Sequence, residues 1–267
     1  MKTLLIRKIQ LTKDVFQFDF NLTASKEGGQ GDFSFKAGQF VSVKVPGTDT
    51  VRSYSIVSSP NRTDGFSLCI KIIPDGKAST FFAGLNGGEI VDFEGPFGSF
   101  TLGDGALPGA LPGALPGAAN LVMIATGVGV VPFMSMLEFV RAHKESFSTQ
   151  KLRLLFGVRN KEDLFYLDEL EEFKRKLADF DFFVTLSRPP ENWTGLRGRV
   201  TDHLDMFCKS GSDGAGSDGS SAGDAPDTQF YICGNGDMVR DTRTLLIQKG
   251  VLHVQIRLEQ FSAMSGK

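Results

Sequence analysis

The sequence is poor in the residues that usually announce a function. Its three cysteines, Cys69, Cys208 and Cys233, lie far apart and are odd in number. Such a set makes no disulfide framework and implies reduced thiols in a cytosolic setting. No cysteine or histidine cluster has the spacing that holds zinc or an iron–sulfur centre, so no metal is expected. Neither sign of charge dominates: 29 basic residues face 31 acidic ones, for a net charge of −2. That balance gives no support for nucleic acid as a partner. No apolar run approaches the roughly 20 residues of a membrane helix, and the opening MKTLLIRKIQL is too short in apolar residues for a signal peptide. These absences predict a soluble, cytoplasmic protein, expected as a monomer.

What is abundant is apolar material. Hydrophobic residues make up 41% of 267, enough for one large domain or two ordinary ones. Phenylalanine is over-used, 24 against three Tyr and one Trp. Phe carries no polar group needing a partner, so most should lie in the core.

Residues 1–102 read as short strands separated by turn signals. Runs at Val15–Phe20, Phe40–Val45, Ser53–Val57, Phe66–Ile73 and Ile90–Phe93, the last closed by Gly95-Pro96-Phe97-Gly98, predict an all-β sandwich or barrel. One helix is expected at Ser79–Leu85. Residues 103–119 contain the unit ALPG three times in tandem, from Ala106, Ala110 and Ala114. Proline in each unit blocks helix and ladder pairing, which predicts a linker. From Asn120 the pattern becomes strand, helix, strand. Strands are expected at Leu121–Ala125, Leu152–Phe156, Asp181–Leu186, Phe230–Cys233 and Val254–Phe261. Helices are expected after Pro132, over Glu162–Leu177 and Asp237–Lys249, with a short one at Arg199–Phe207. The Gly/Ser/Asp-rich stretch 209–228 reads as a flexible loop. Alternating strands and helices imply a parallel sheet with crossovers. The fold class is therefore two-domain, β followed by α/β, divided as 1–102, a 103–119 linker and 120–267.

Four stretches carry chemistry. In Leu121–Ser135, LVMIATGVGVVPFMS, an apolar strand runs into Thr126-Gly127-Val128-Gly129 and then into a helix with Pro132 in its first turn. Glycines admit close backbone approach, and a helix start offers free N–H groups to a phosphate; the stretch also reads as an ordinary βα turn. Arg52-Ser53-Tyr54-Ser55 sets Arg52 and Tyr54 on one face of a strand and Ser53 and Ser55 on the other, a site or simply a strand facing solvent. Asp75-Gly76-Lys77-Ala78-Ser79-Thr80 offers a second phosphate turn or a plain Ser/Thr cap. Cys233-Gly234-Asn235-Gly236-Asp237-Met238 ends a parallel strand, where open α/β sheets bind ligands; Cys233 also reads as a small core residue.

RSYS, GKAST, GPFG, ATGVGVVPFMS and CGNGDM, in that order, resemble the ferredoxin–NADP reductase superfamily, which includes flavodoxin reductases, cytochrome b5 reductase and the reductase parts of oxygenases. The resemblance spans about residues 5–261. It implies an antiparallel FAD-binding β-barrel followed by an NAD(P)-binding α/β domain. It implies that Arg52 holds an FAD phosphate with Ser53 beside it, that Tyr54 lies against the flavin, and that Ser55 bonds near flavin N5. Ile70, Lys71 and Ile72 resemble the strand whose backbone follows the cofactor, and Gly76, Ala78 and Ser79 the pyrophosphate turn. Thr126, Gly127, Val128, Gly129 and Pro132 would bind the nicotinamide cofactor's pyrophosphate, with Gly157 and Arg159 at the next strand end. Cys233, Gly234 and Met238 would face the nicotinamide, and Glu259 and Phe261 resemble the C-terminal acid and flavin-stacking aromatic. Ser55, Cys233 and Glu259 are the catalytic candidates. In plant-type members the aromatic is a terminal Tyr; here Phe261 is followed by Ser262–Lys267.

Coenzyme choice turns on Ser187 and Arg188, which resemble a 2′-phosphate clamp, with Arg197 and Arg199 nearby; NADP is favoured over NAD because Arg offers a phosphate two donors. The expected activity is hydride transfer from NADPH or NADH to FAD, with electrons leaving to a separate acceptor such as ferredoxin or flavodoxin. A free flavin, quinone or haem-protein reductase, or a flavin-bearing subunit of a larger complex, are the alternatives.

Overall fold

The computed structural model describes residues 1–23, 33–102, 120–147, 150–208 and 228–261. The ALPG segment and the 209–227 part of the expected loop lie outside the described residues. Contacts divide the chain into two compact units. The first comprises Met1–Leu102, Val131–Lys144 and Glu162–Glu169, and the second Gly103–Val130, Glu145–Lys161 and Leu170–Lys267.

In the first unit, strands β1 (Lys2–Gln10), β2 (Val15–Leu22), β3 (Phe40–Lys44), β4 (Val51–Ser55), β5 (Gly65–Lys71) and β6 (Ile90–Phe97) form one antiparallel sheet in the order β4-β3-β6-β1-β2-β5. A bridge between Ile56 and Leu68, with Val57 N–H donating to the Ser67 carbonyl at 2.9 Å, ties the two edges together and makes the sheet a barrel. Helix α1 (Lys77–Gly84) carries Phe82 into its core. The phenylalanines explain themselves here. Phe18, Phe20, Phe66, Phe82 and Phe93 are all buried. Phe20 and Phe66 meet Phe93 edge-on, with centroids 5.0 and 5.3 Å apart. Each such ring contributes roughly 1.5–3 kcal/mol by leaving water.

Strand β1 departs from the sequence expectation, which left residues 2–10 without an element. A bulge between Leu5 and Arg7 shifts the pairing with β2, so the alternation of period two that marks a strand is broken midway. The first helix also begins earlier than expected, at Lys77, and ends at Gly84.

Two later segments group with the barrel. In α2 (Val131–Ala142), Ser135 Oγ donates to the Ser58 carbonyl at 2.8 Å. The expected helix Glu162–Leu177 is shorter, α3 spanning Leu167–Lys176. Just before it Tyr166 takes φ 60°, where an L side chain cannot continue a helix. Its hydroxyl donates instead to Gln17 Oε1 at 2.8 Å.

The second unit is a fully parallel sheet of β7 (Asn120–Thr126), β8 (Lys151–Val158), β9 (Phe180–Leu186), β10 (Leu196–Arg197), β11 (Thr228–Asn235) and β12 (Ile256–Phe261), ordered β10-β9-β8-β7-β11-β12. From β7 the chain winds first to one side, then returns to β7's other side as β11. Helix α4 (Gly236–Gln248) follows, ending before Gly250. The core of this sheet includes Val122, Ile124, Leu155, Ile232, Val239 and Leu246, with Phe230 buried among them. Most element ends differ from expectation by one or two residues. Thr228 belongs to β11 rather than to the loop. Residues Val200–Met206 form a 3-10 helix, and β12 starts at Ile256 after a 3-10 turn at His253–Gln255.

Candidate functional site

On the barrel, the register of β4 against β3 decides what each residue of RSYS faces. Arg52 lies opposite Val43 and Tyr54 opposite Val41, and both valines are core residues. Directly opposed residues share a face, so Arg52 and Tyr54 lie on the core-ward side and Ser53 and Ser55 on the other. The Tyr54 ring meets Phe82 edge-on at 5.1 Å, and burial pushes its hydroxyl up to about 12 despite the nearby Arg52. Ser53 is engaged with Ser42, hydroxyl to hydroxyl at 2.9 Å, while Ser55 is buried. Of the strand expected to follow a cofactor, Ile70 is core, Ile72 packs against it, and Lys71 pairs with Asp14 at 2.9 Å.

The DGKAST turn is not a Ser-capped helix start. The N-cap of α1 is Gly76, and no side chain caps it. Ser79 Oγ instead accepts from Ile73 N–H at 2.9 Å, folding the turn back on the end of β5. Asp75 sits at φ 61°, an uncommon conformation for a non-glycine that clusters at binding sites. First-turn N–H groups of a helix lack intrahelical acceptors. With no capping side chain to take them, those of α1 fit a phosphate.

In the second unit, the strand order reverses between β7 and β11. Ligands of open α/β sheets bind outside the carboxyl ends of strands at that point. Both glycine-rich stretches end there. β7 finishes at Thr126 and passes through a 3-10 turn, Gly127–Val130, into α2 with Pro132 as its second residue. β11 finishes at Asn235, whose side chain caps α4 by accepting from Met238 N–H at 2.9 Å. The two backbones touch. A Cβ on Gly129 would fall on the Cys233 carbonyl, and one on Gly234 on the Thr126 hydroxyl. Any other residue at Gly129 would push the strand ends apart, and one at Gly234 would displace the Thr126 hydroxyl and the end of the Met238 side chain. Gly157, at the end of β8, packs closely too, with Val200 Cγ1 2.7 Å from where its Cβ would stand.

The Thr126 hydroxyl is buried and has no hydrogen-bond partner. A buried polar atom left unpaired costs about 1–3 kcal/mol, so an unpaired one at a switch point fits a ligand group that would bond it. Cys233 is fully buried. Its Sγ points at Glu259 Oε2, 3.9 Å away, because the register sets Cys233 directly beside Glu259 on β12. Burial first, and the carboxylate second, push the thiol well above its ordinary range. It is therefore a protonated donor, not a thiolate. Met238 is also buried, its sulfur accepting from Thr242 Oγ1 at 3.4 Å. Phe261 ends β12 opposite Asn235.

Ser187, Arg188, Arg159 and Arg199 are all exposed. Ser187 N–H donates to the Val158 carbonyl at 3.1 Å and Arg188 N–H to the Arg159 carbonyl at 2.8 Å. The ends of β8 and β9 thus bring Arg159 and Arg188 side by side. Arg199 precedes the 3-10 helix as its N-cap. Arg197, which the sequence places near this pair, turns its Nη2 to carbonyls of its own loop, Pro190, Glu191 and Trp193. Sequence reasoning passed over Asn235 and its cap, though an Asn immediately before a helix is a recognisable signal.

Among the described residues no group of His, Cys, Asp and Glu could hold a metal ion, and no helix is long and apolar enough to cross a membrane.

A barrel with a helix-start phosphate turn and a doubly wound sheet with two glycine turns at its switch point define a two-module nucleotide-binding protein. The comparisons with known proteins agree. The family described as oxidoreductase FAD-binding domain matches residues 2–102, and that described as oxidoreductase NAD-binding domain matches residues 123–244. Ferredoxin–NADP reductase B of Sorangium cellulosum is 32% identical over 232 residues, covering 86% of each chain. The reductase component of propane 2-monooxygenase from Mycolicibacterium smegmatis is 32% identical over 244 residues, 87% of this chain. This chain spans 61% of that relative's length. The crystal structure of a ferredoxin NADP+ reductase from Neisseria gonorrhoeae with bound FAD and NADP superposes with a TM-score of 0.73 at 26% identity, over 97% of this chain and 98% of that one. The chain belongs to the ferredoxin–NADP reductase superfamily.

Proposed function

We propose that the chain is an FAD-dependent oxidoreductase that takes hydride from NADPH or NADH and passes electrons to a separate acceptor such as ferredoxin or flavodoxin. Residues 1–102 would hold FAD and residues 120–267 the nicotinamide coenzyme. The observation that carries the reading is the unpaired Thr126 hydroxyl at the switch point of a sheet matched by an NAD-binding family. Bound FAD supplies hydride acceptance at N5 and onward release of electrons.

The chain's own residues bind and orient. Arg52 and the first turn of α1 would hold FAD phosphates, and Tyr54 and Ser55 would be the residues toward the flavin. Thr126 to Pro132 take the coenzyme pyrophosphate, while Cys233, Gly234 and Met238 line its nicotinamide end. Cys233, held protonated beside Glu259, keeps that end small and uncharged. Phe261 would take the part of the family's flavin-stacking aromatic. Hydride transfer between cofactors needs no acid–base pair, so positioning supplies the catalysis.

A second reading, a reductase serving an oxygenase, is favoured by the monooxygenase reductase relatives. The cysteines are free thiols, in keeping with a reduced, cytoplasmic setting; we take the protein to act as a monomer.

The test is the visible spectrum of the purified protein, before and after NADPH or NADH is added without oxygen. A flavin spectrum, bleached by nucleotide and released by heat as FAD, is expected. A protein that takes up no flavin, or whose flavin neither nucleotide bleaches, overturns the reading.

A further inference from the structure

The stretch between β9 and β10 returns to the end of the sheet it left. β10 pairs in parallel with the last two residues of β9, Thr185 and Leu186. The connection, Ser187 to Gly195, is shorter than the dozen or more residues such a crossover usually takes. It therefore stands as a loop on the carboxyl edge of the sheet, where this fold type takes its ligands.

One side chain organises that loop. Arg197 Nη2 donates to the carbonyls of Pro190, Glu191 and Trp193 at 3.2, 2.8 and 2.8 Å. Trp193 closes the other side, its Nε1 donating to the Leu196 carbonyl at 2.9 Å. The braced Pro190 is joined to Arg188 only through Pro189, and prolines have φ locked by their rings. A pull on the Pro190 carbonyl is thus transmitted to the backbone of Arg188. On its other side Arg188 is held by the Arg159 carbonyl at 2.8 Å. Its own guanidinium is exposed, with no partner among the described residues.

We propose that Arg197 is a positioning residue for coenzyme choice: without touching the nucleotide, it holds the Ser187–Gly195 loop so that Arg188 stays open to a 2′-phosphate. The proposal rests on the reading that this sheet binds NADPH. All three contacts are made by one nitrogen, Nη2, which stands one bond further along its side chain than a lysine Nζ and at the end of a rigid plane, so a lysine ammonium on a flexible stem does not take its place. Retaining the charge should therefore not retain the function.

The experiment is a double-mutant cycle read by calorimetric titration of the holoprotein with NADP+ and with NAD+, with bound flavin as the folding control. Arg188→Ala should weaken NADP+ ten- to a hundredfold, the loss of a charge-assisted bond, and leave NAD+ within about twofold. Arg197→Ala should weaken NADP+ about tenfold with NAD+ little changed, and add nothing further in the Arg188→Ala background, because the two act through one contact. Arg197→Lys should behave like Arg197→Ala, and it carries the test if the alanine variant loses flavin. Unchanged NADP+ affinity in both Arg197 variants, rescue by Lys, or effects that multiply in the double variant each overturn the proposal. If Arg188→Ala shows its full effect in those cases, the coenzyme reading survives. If Arg188→Ala has no effect, the clamp reading falls and the proposal with it.

Discussion

The barrel and the parallel sheet contain six strands each, yet they offer a phosphate its N–H donors by different means. Barrel strands pair along both edges, and the sheet is tied shut at Ile56 and Leu68. Free donors arise there where α1 starts, and Phe82 holds that helix against the aromatic core and Tyr54. In the parallel sheet the donors arise where strands run out, and the site's shape is set by close approach: Gly129 stands against the Cys233 backbone, and Gly234 against the side chains of Thr126 and Met238. A site hung on packing should break when atoms are removed beneath it. A site made by close approach should break when atoms are added.

The largest effect is expected from removal in the barrel. Phe82 is fully buried, with its ring 5.3 Å from Phe18 and 5.1 Å from Tyr54. Phe82→Ala should cost about 3–5 kcal/mol by the cavity it leaves. Urea unfolding followed by flavin fluorescence reads it, and a loss under about 1 kcal/mol would show that α1 is held by something other than this core.

Addition in the sheet comes next. Cys233→Leu overfills a fully buried position beside Glu259. A displacement of about 1 Å at a reacting group costs on the order of a hundredfold in rate. The stopped-flow rate of flavin reduction by NADPH should fall accordingly while FAD stays bound, since its proposed phosphate ligands, Arg52 and the first turn of α1, belong to the barrel. An unchanged rate would make Cys233 a packing residue only.

The smallest effect sharpens the contrast, because it concerns an electrostatic prop of the barrel away from both turns. Burial raises the Asp19 carboxyl, but hydrogen bonds from Ser67, Gln17 and Arg7 and the charge of Arg7 outweigh it, so its pKa lies below the usual 3.8. A depressed carboxylate stabilises the fold fully above its unfolded value and loses that contribution as pH falls through the folded one. The thermal midpoint of the wild type should therefore drop more steeply than that of Asp19→Asn between about pH 5 and about pH 2. At neutral pH the variant should be less stable by roughly 1 kcal/mol, since Arg7 is largely in water. Parallel acid curves for the two proteins would remove Asp19 from the account.

The turn-forming parts of both sites were legible in the amino-acid order. An apolar run followed by Thr126-Gly127-Val128-Gly129 reads as a strand meeting a turn that opens a helix, and Gly76 ahead of Ala78 and Ser79 marks a helix start, because these signals are local in the chain. The Phe-rich alternation of residues 15–93 likewise announced a β core. Other features depend on residues far apart in sequence. Strand β1 exists because β2 and β6 pair with it on either side, which its bulged, charge-interrupted pattern hides. Tyr166 stops a helix that periodicity extends, because its hydroxyl reaches Gln17 on another strand. Cys233 meets Glu259 only through the register of β11 on β12. Arg197 and Arg188 are alike as letters; the Nη2 of one is turned to three carbonyls and the guanidinium of the other is left open by the way the loop folds back on β9. Local backbone preference acts over a few residues and can be read in order, whereas register and side-chain pairing are settled by which distant segments pack together.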